Sequence, residues 1–95
     1  MPARSQTRTL PYRHALYRLA PDLLLVFKPR GHREATHAHA HGQRLRVLRG
    51  GLAVTIGARK VVLTPSSRPL MLRVGIAHET EALQDTWVVA ESQLE

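Results

Sequence analysis

The sequence predicts an all-β fold in a single domain, and three observations support this class. Short apolar runs of strand length are separated by turn residues, mainly Gly, Pro and Ser, from Pro21 onward. The run at residues 43–49 alternates apolar and polar side chains with a period of two, which is typical of a strand with one buried face. A length of 95 residues suits one compact domain built on one core.

The first part of the chain is predicted to be a basic arm and edge segment over residues 1–22, followed by a barrel over residues 23–95. Residues 1–10 are polar and basic and lack the apolar stretch of a signal peptide, so a cytoplasmic protein is expected. Residues 12–20 leave two alternatives open. Their apolar spacing fits both a short helix and an edge strand.

Seven strands are predicted in the barrel, each a short apolar or alternating run bounded by turn residues. They cover residues 23–28, 34–41, 43–49, 52–56, 60–63, 70–74 and 86–90. Gly50 and Gly51 can adopt the positive backbone angles of a hairpin between the third and fourth of these strands.

Alternation also predicts which side chains face the barrel interior. Gln43, Leu45 and Val47 are expected to point inward, whereas Arg44 and Arg46 point to solvent. A second inward row is expected to end at a histidine. This row consists of Leu70, Leu72, Val74, Ile76 and His78.

Histidines are the candidate metal ligands. His37 and His39 lie one residue apart on a predicted strand, so both side chains would point to the same face. Gln43 has the same parity, and His78 would approach the same interior from another strand. Imidazoles placed in this way can share one metal ion. His41 is expected to be an exposed turn residue instead.

The residues around these histidines resemble the first motif of the cupin superfamily. Five residues separate Gly31 from His37, one separates His37 from His39, three precede Gln43, and six precede Gly50. In the family, Glu normally stands at the position of Gln43. The one departure within this motif is therefore at a metal ligand.

The second cupin motif is less well preserved. Gly75 and His78 are retained with two residues between them, whereas Ser67, Arg73 and Ala82 stand where the family has Gly, Pro and Asn. The resemblance covers roughly residues 23–90.

The resemblance implies a small cupin jelly-roll barrel, often dimeric, with a divalent metal ion at its mouth. Carried over to this chain, His37, His39 and His78 become the three imidazole ligands and Gln43 takes the fourth position. Gln43 either coordinates directly or donates a hydrogen bond next to the metal. Imidazole suits Zn, Fe, Ni, Mn and Cu alike, so the metal is expected to be a divalent transition metal of open identity.

Two classes of function remain open. In the first, the metal acts on a small organic substrate by dioxygenase-like or isomerase-like chemistry. No other acid or base is expected in the pocket, so the catalytic residues are unknown. In the second, the barrel is a non-catalytic sensor of a small molecule. The Gln at position 43 also resembles the ligand-binding domain of AraC-type regulators, here without the DNA-binding part.

A homodimer is the expected partner arrangement, because the arm is available to cover an exposed strand edge on a second copy. Trp87 is expected in the core or at the dimer contact, and His14 and His32 at the surface.

The charge balance and composition exclude other classes. Lys and Arg number 14 against 7 acidic residues, but they occur singly along the chain, so a nucleic-acid partner is not expected. No apolar run is long enough for a membrane helix, so a membrane partner is not expected either. Cysteine is absent, which excludes disulfides and thiolate chemistry.

Overall fold

The predicted all-β class is confirmed. A computed structural model describes residues 11–93, which form nine strands. They are β1 (Ala15–Ala20), β2 (Leu23–Lys28), β3 (Arg33–His37), β4 (Gly42–Arg49), β5 (Leu52–Ile56), β6 (Arg59–Leu63), β7 (Leu70–Leu72), β8 (His78–Ala82) and β9 (Thr86–Gln93). Within the described part, no helix is long and apolar enough to cross a membrane.

The strands form two antiparallel sheets. One has five strands in the order β1-β2-β9-β4-β7, and the other has four in the order β3-β8-β5-β6. An aliphatic core fills the space between the sheets, with both sheets contributing inward side chains. Its buried members include Val26, Leu45, Val47, Leu52, Val54 and Val88.

Residues 15–20 form an edge strand, which settles the alternative left open for this segment. β1 pairs antiparallel with β2 and has no neighbour on its other side among the described residues. Residues 1–10 of the predicted arm lie outside the described range. The division of the chain into residues 1–22 and 23–95 stays a prediction.

The alternation in β4 is as predicted. Leu45 and Val47 are buried, whereas Arg44 and Arg46 are exposed. Gln43 is half-buried and shares the inward face. The pattern therefore correctly orients residues 43–47, and it ends at an irregularity after Val47, where Leu48 and Arg49 are both exposed.

The row predicted to end at His78 is interrupted. β7 ends at Leu72, and a turn follows in which Gly75 has a φ of 77° and the N–H of Ile76 donates to the Arg73 carbonyl oxygen (3.1 Å). Val74, like Ile76, is exposed, contrary to the prediction. The chain then crosses to the other sheet, where His78 begins the unpredicted strand β8.

β3 is also shorter than predicted and contains an irregularity. It ends at His37 instead of residue 41. Glu34 pairs with Thr80 and His37 pairs with His78, so three steps along β3 match two steps along β8. This bulge changes the alternation, because an extra residue on one strand shifts the faces of those before it. Glu34 and His37 therefore both point inward despite their odd spacing.

The predicted hairpin turn at Gly50 depends on a close approach of the backbone. Gly50 has a φ of 94°, and a Cβ at this position would collide with the backbone carbonyl oxygen of Asp85. The Oγ1 of buried Thr86 accepts a hydrogen bond from the N–H of Gly51 (3.1 Å). The turn between β4 and β5 is thus packed directly against the start of β9.

Candidate metal site and ligand pocket

A pocket of about 150 Å³ lies between the two sheets. Side chains from both sheets line it, seven of them aliphatic and eight polar or charged. The apolar lining includes Leu16, Leu24, Val26, Leu45, Leu52 and Val88. A volume of this size accommodates a molecule about as large as benzene.

Three histidines meet at one side of this pocket. The ring centroids of His37 and His78 are 4.5 Å apart, those of His37 and His39 are 4.8 Å apart, and those of His39 and His78 are 5.2 Å apart. Each ring offers one nitrogen, and these three atoms lie within 4.8 Å of one another. The three imidazoles that the sequence predicted to converge therefore lie together in the structure.

Backbone carbonyls orient two of the three rings. The Nδ1 of His37 lies 2.7 Å from the Ala35 carbonyl oxygen, and the Nδ1 of His78 lies 3.0 Å from that of Ile76. A carbonyl can only accept, so both Nδ1 atoms carry the proton and donate it. The lone pair of each ring is then on Nε2, which is the arrangement typical of metal-bound histidines.

His39 reaches the site from the loop after β3. The N–H of Gly75 donates to the His39 carbonyl oxygen (3.1 Å), which ties this loop to the turn that precedes β8. Burial lowers the pKa of His39, and the neighbouring imidazoles lower it further. The neutral ring, which is the form that binds metals, is therefore favoured.

Gln43 lies on the lining of the same pocket, as its predicted orientation requires. It is the first inward residue of β4 and pairs with Leu72 on β7 and Ser92 on β9. A Gln side chain carries a neutral carbonyl oxygen, which is a possible metal ligand.

Neither the family models nor the curated proteins that were searched match this chain, whereas many solved structures do. A cupin superfamily protein from Desulfitobacterium hafniense superposes with a TM-score of 0.79 at 13% identity, covering 100% of this chain and 90% of that one. KdgF from Halomonas sp. gives a TM-score of 0.67 at 25% identity, covering 86% and 78%. The Cupin_2 domain of an XRE family transcriptional regulator from Enterobacter cloacae gives 0.72 at 13% identity, covering 86% and 97%.

The chain has the cupin fold. The sequence had suggested this architecture through two motifs alone, and the two-sheet topology agrees with it throughout the described residues.

The donor set of this cupin barrel fits a divalent transition metal. Three imidazole nitrogens converge at one side of the pocket, and His78 is buried. Structural and catalytic sites for such ions commonly use three or four ligands of this kind. His41 is exposed, as predicted, with its Nε2 3.0 Å from the Ser92 hydroxyl and its ring centroid 6.3 Å from that of His39.

Sequence reasoning missed a second polar cluster in the cupin pocket. Lys28 and Glu34 both line it, with Lys28 Nζ 2.7 Å from Glu34 Oε1. Thr80 completes the cluster, with its Oγ1 3.5 Å from both of these atoms. The expectation that the pocket holds no other acid or base is therefore wrong.

The orientation of Lys28 could have been predicted from the sequence, whereas that of Glu34 could not. Lys28 shares parity with the inward residues Leu24 and Val26, so alternation along β2 already indicated its direction. Glu34 has the wrong parity relative to His37, and only the bulge in β3 turns it inward.

His14 and His32, predicted at the surface, are partly exposed, but one nitrogen of each ring is buried. Their rings stack with centroids 4.3 Å apart, and the Nε2 atom of each is buried without a hydrogen-bond partner among residues 11–93. With Glu34 they form a second group whose donor atoms lie close enough for a metal ion. However, the planes of the two rings differ by only 22°, so the lone pairs do not converge, and Lys28 already neutralises the carboxylate.

Around Glu34, the negative charge of its carboxylate is balanced by the positive charge of Lys28. Burial would raise the pKa of Glu34, but the hydrogen bond and positive charge of Lys28 outweigh it, so the pKa lies below its ordinary value. Burial lowers the pKa of His32, and the charges of His14 and Lys28 lower it further. Near neutral pH, Glu34 is therefore a carboxylate and His32 is uncharged.

Proposed function

We propose that this cupin binds one divalent transition-metal ion through His37, His39 and His78, with Gln43 in the fourth position, and acts on a small organic molecule. The observation that carries the proposal is the convergence of three imidazoles on a pocket of about 150 Å³ whose lining also includes seven aliphatic side chains. A pocket of this volume offers room for one small ligand beside the metal.

A bound ion would supply Lewis-acid or dioxygenase-like chemistry of the kind expected from the sequence. The residues of the chain would hold and orient the reactants. The hydrogen bonds from His37 and His78 to backbone carbonyls fix the two rings. Gln43 brings no negative charge, so the ion would keep more positive charge than with the usual Glu.

The proposal is tested by titrating metal-free protein with Zn²⁺ and Mn²⁺. Wild-type protein is expected to bind about one equivalent. In the Gln43→Glu variant a carboxylate replaces the amide, so the affinity is expected to rise about tenfold, which corresponds to about 1.4 kcal/mol. Isothermal titration calorimetry measures both quantities.

Gln84→Glu is the matched control, because it adds the same charge at an exposed position outside the pocket lining. Uptake of less than about a tenth of an equivalent by wild-type protein would contradict the metal site. Equal affinities of the two Glu variants would contradict a position for Gln43 beside the ion.

A non-catalytic, ligand-sensing barrel is the alternative function. The similarity to the cupin domain of a transcriptional regulator favours it, although that similarity concerns the fold. Oxygen uptake and product formation with a panel of small phenols, thiols and diketones, using iron-loaded protein, separate the two. Ligand binding without turnover of any member would favour the sensor.

The predicted homodimer belongs to the same proposal. Leu16 and Leu19 are exposed on the edge strand β1, where unpaired backbone groups and apolar side chains are available to a second copy. We expect size-exclusion chromatography with light scattering to give twice the chain mass at micromolar concentration. A monomer mass there would contradict the dimer, and Leu19→Lys, outside the pocket lining, should shift the equilibrium toward the monomer.

A further inference from the structure

We propose that Lys28 and Glu34 form a recognition site for a hydroxyl group of the ligand, in the part of the pocket that neighbours the three imidazoles. This inference rests on the proposed function and extends it by naming the ligand class. The ligand would be a small, uncharged molecule of about benzene size, with one group for the metal and a hydroxyl at its other end.

The strand register places the two polar clusters in neighbouring layers of the same interior. Glu34 pairs with Thr80, and His37 pairs with His78. Thr80 and His78 are two residues apart on β8 and both are buried. Two residues along a strand span about 7 Å, so the layers are separated by about the length of a small organic molecule.

The bulge in β3 makes this arrangement possible. Without the extra residue, Glu34 would face the same side as Thr36, whose hydroxyl donates to Glu79 Oε1 (3.0 Å) in an exposed contact. With the bulge, the carboxylate faces Lys28 inside the pocket. Bulges that re-aim a side chain are common beside binding sites.

The Lys28–Glu34 pair retains unused hydrogen-bonding capacity. An ammonium group has three N–H donors, and among residues 11–93 Lys28 donates to Glu34 and Thr80. Glu34 Oε1 accepts from these two residues, but Oε2 lies 3.8 Å from His14 Nε2, which exceeds hydrogen-bond distance. The pair therefore offers one donor and one acceptor side by side.

A hydroxyl group matches this pair better than a charged group does. It can accept from Lys28 and donate to Glu34 at the same time. A ligand carboxylate would be repelled by Glu34, and a ligand ammonium by Lys28, because the two charges lie only 2.7 Å apart. The aliphatic side chains in the pocket lining suit an uncharged body.

The test uses three probes with the same metal-chelating hydroxamate head and different tails: pentanehydroxamate, 4-hydroxybutanehydroxamate and the monohydroxamate of succinic acid. Binding to zinc-loaded protein is measured by calorimetry. The hydroxyl-tailed probe is expected to bind wild-type protein about tenfold more tightly than the methyl-tailed probe, as for one hydrogen bond to a charged group. The carboxylate-tailed probe is expected to bind more weakly than the hydroxyl-tailed probe.

The double variant Lys28→Met/Glu34→Leu should reduce the ratio of hydroxyl-tail to methyl-tail affinity to about one. Both charges are removed together, because a single change would leave an uncompensated charge in the pocket and endanger folding. The matched control is Arg44→Met/Glu91→Leu, which removes an ion pair of 3.8 Å outside the pocket lining. This control should keep the tenfold preference.

A wild-type preference for the carboxylate tail, or equal affinity for the hydroxyl and methyl tails, overturns the inference. The same holds if the preference survives in the Lys28→Met/Glu34→Leu variant. Metal uptake without the hydroxyl preference contradicts this inference alone. Failure of the wild-type protein to take up metal contradicts the proposed function as well.

Discussion

Replacing His78 with alanine is expected to lower the affinity for a divalent metal ion by more than about a hundredfold, because loss of a ligand should exceed the 10–100-fold effect of outer hydrogen-bond partners. His78 is buried, and the Ile76 carbonyl holds its ring in place, so no other side chain takes over its position. Calorimetric titration of the metal-free variant with Zn²⁺ measures the loss.

His41→Ala is the control for this experiment. His41 lies in the same histidine-rich segment, but it is exposed and contacts Ser92. Its removal should leave the affinity within about twofold of wild type, since its side chain is exposed and outside the pocket lining, although its ring centroid lies 6.3 Å from that of His39. Equal losses in the two variants would contradict the assignment of His78. Thermal unfolding of both variants verifies that each remains folded.

Gly50→Ala is expected to reduce the free energy of unfolding by about 3 kcal/mol, which combines a positive-φ cost with overpacking. The added Cβ would collide with the Asp85 carbonyl oxygen and with Thr86. Thr86 begins β9, the central strand of the five-stranded sheet, and Asp85 directly precedes it. The backbone cannot easily move away, because Thr86 is fully buried and hydrogen-bonded to Gly51. Urea unfolding measures the change.

Gly57→Ala separates the two causes. Gly57 also has a positive φ, of 61°, but a Cβ there has no atom within 4 Å. It should therefore cost only the backbone strain of about 1 kcal/mol. If the free energy of unfolding fell equally in both variants, the close contact at Gly50 would contribute nothing to the loss of stability.

Much of the fold followed from alternation in the sequence, because a strand with one buried face has a period of two. In β4 this rule correctly placed Gln43, Leu45 and Val47 inward. It failed where the backbone leaves the regular period. The turn at Gly75 interrupts the inward row that was predicted to end at His78. The bulge in β3 turns Glu34 inward, which regular alternation does not predict.

The histidine group was predicted by partly incorrect reasoning. His37 and His39 were expected to share one face of a strand, yet β3 ends at His37 and His39 lies in the following loop. The two rings nevertheless meet, with planes at 89° to each other. The loop bends the chain toward the same interior that a continued strand would have reached. Single-sequence patterns do not distinguish these two paths.

His14 and His32 could not be assigned from the sequence because their surroundings are assembled by tertiary contacts. His14 precedes the edge strand β1, and His32 precedes β3 in the other sheet. Their stacking, with centroids 4.3 Å apart, depends on how the two sheets come together at this end of the barrel. Nothing in the local pattern of either residue indicates a buried nitrogen.

The hydrogen bond from Gly75 to the His39 carbonyl has a consequence for how an ion would bind. It joins the loop that carries His39 to the turn that precedes His78, so these two segments already hold each other before any ligand arrives. The conformational entropy of ordering them is lost during folding and does not oppose the binding step. The barrel would thus receive an ion into a preorganised set of donors, and little of the binding free energy would be consumed in arranging loops.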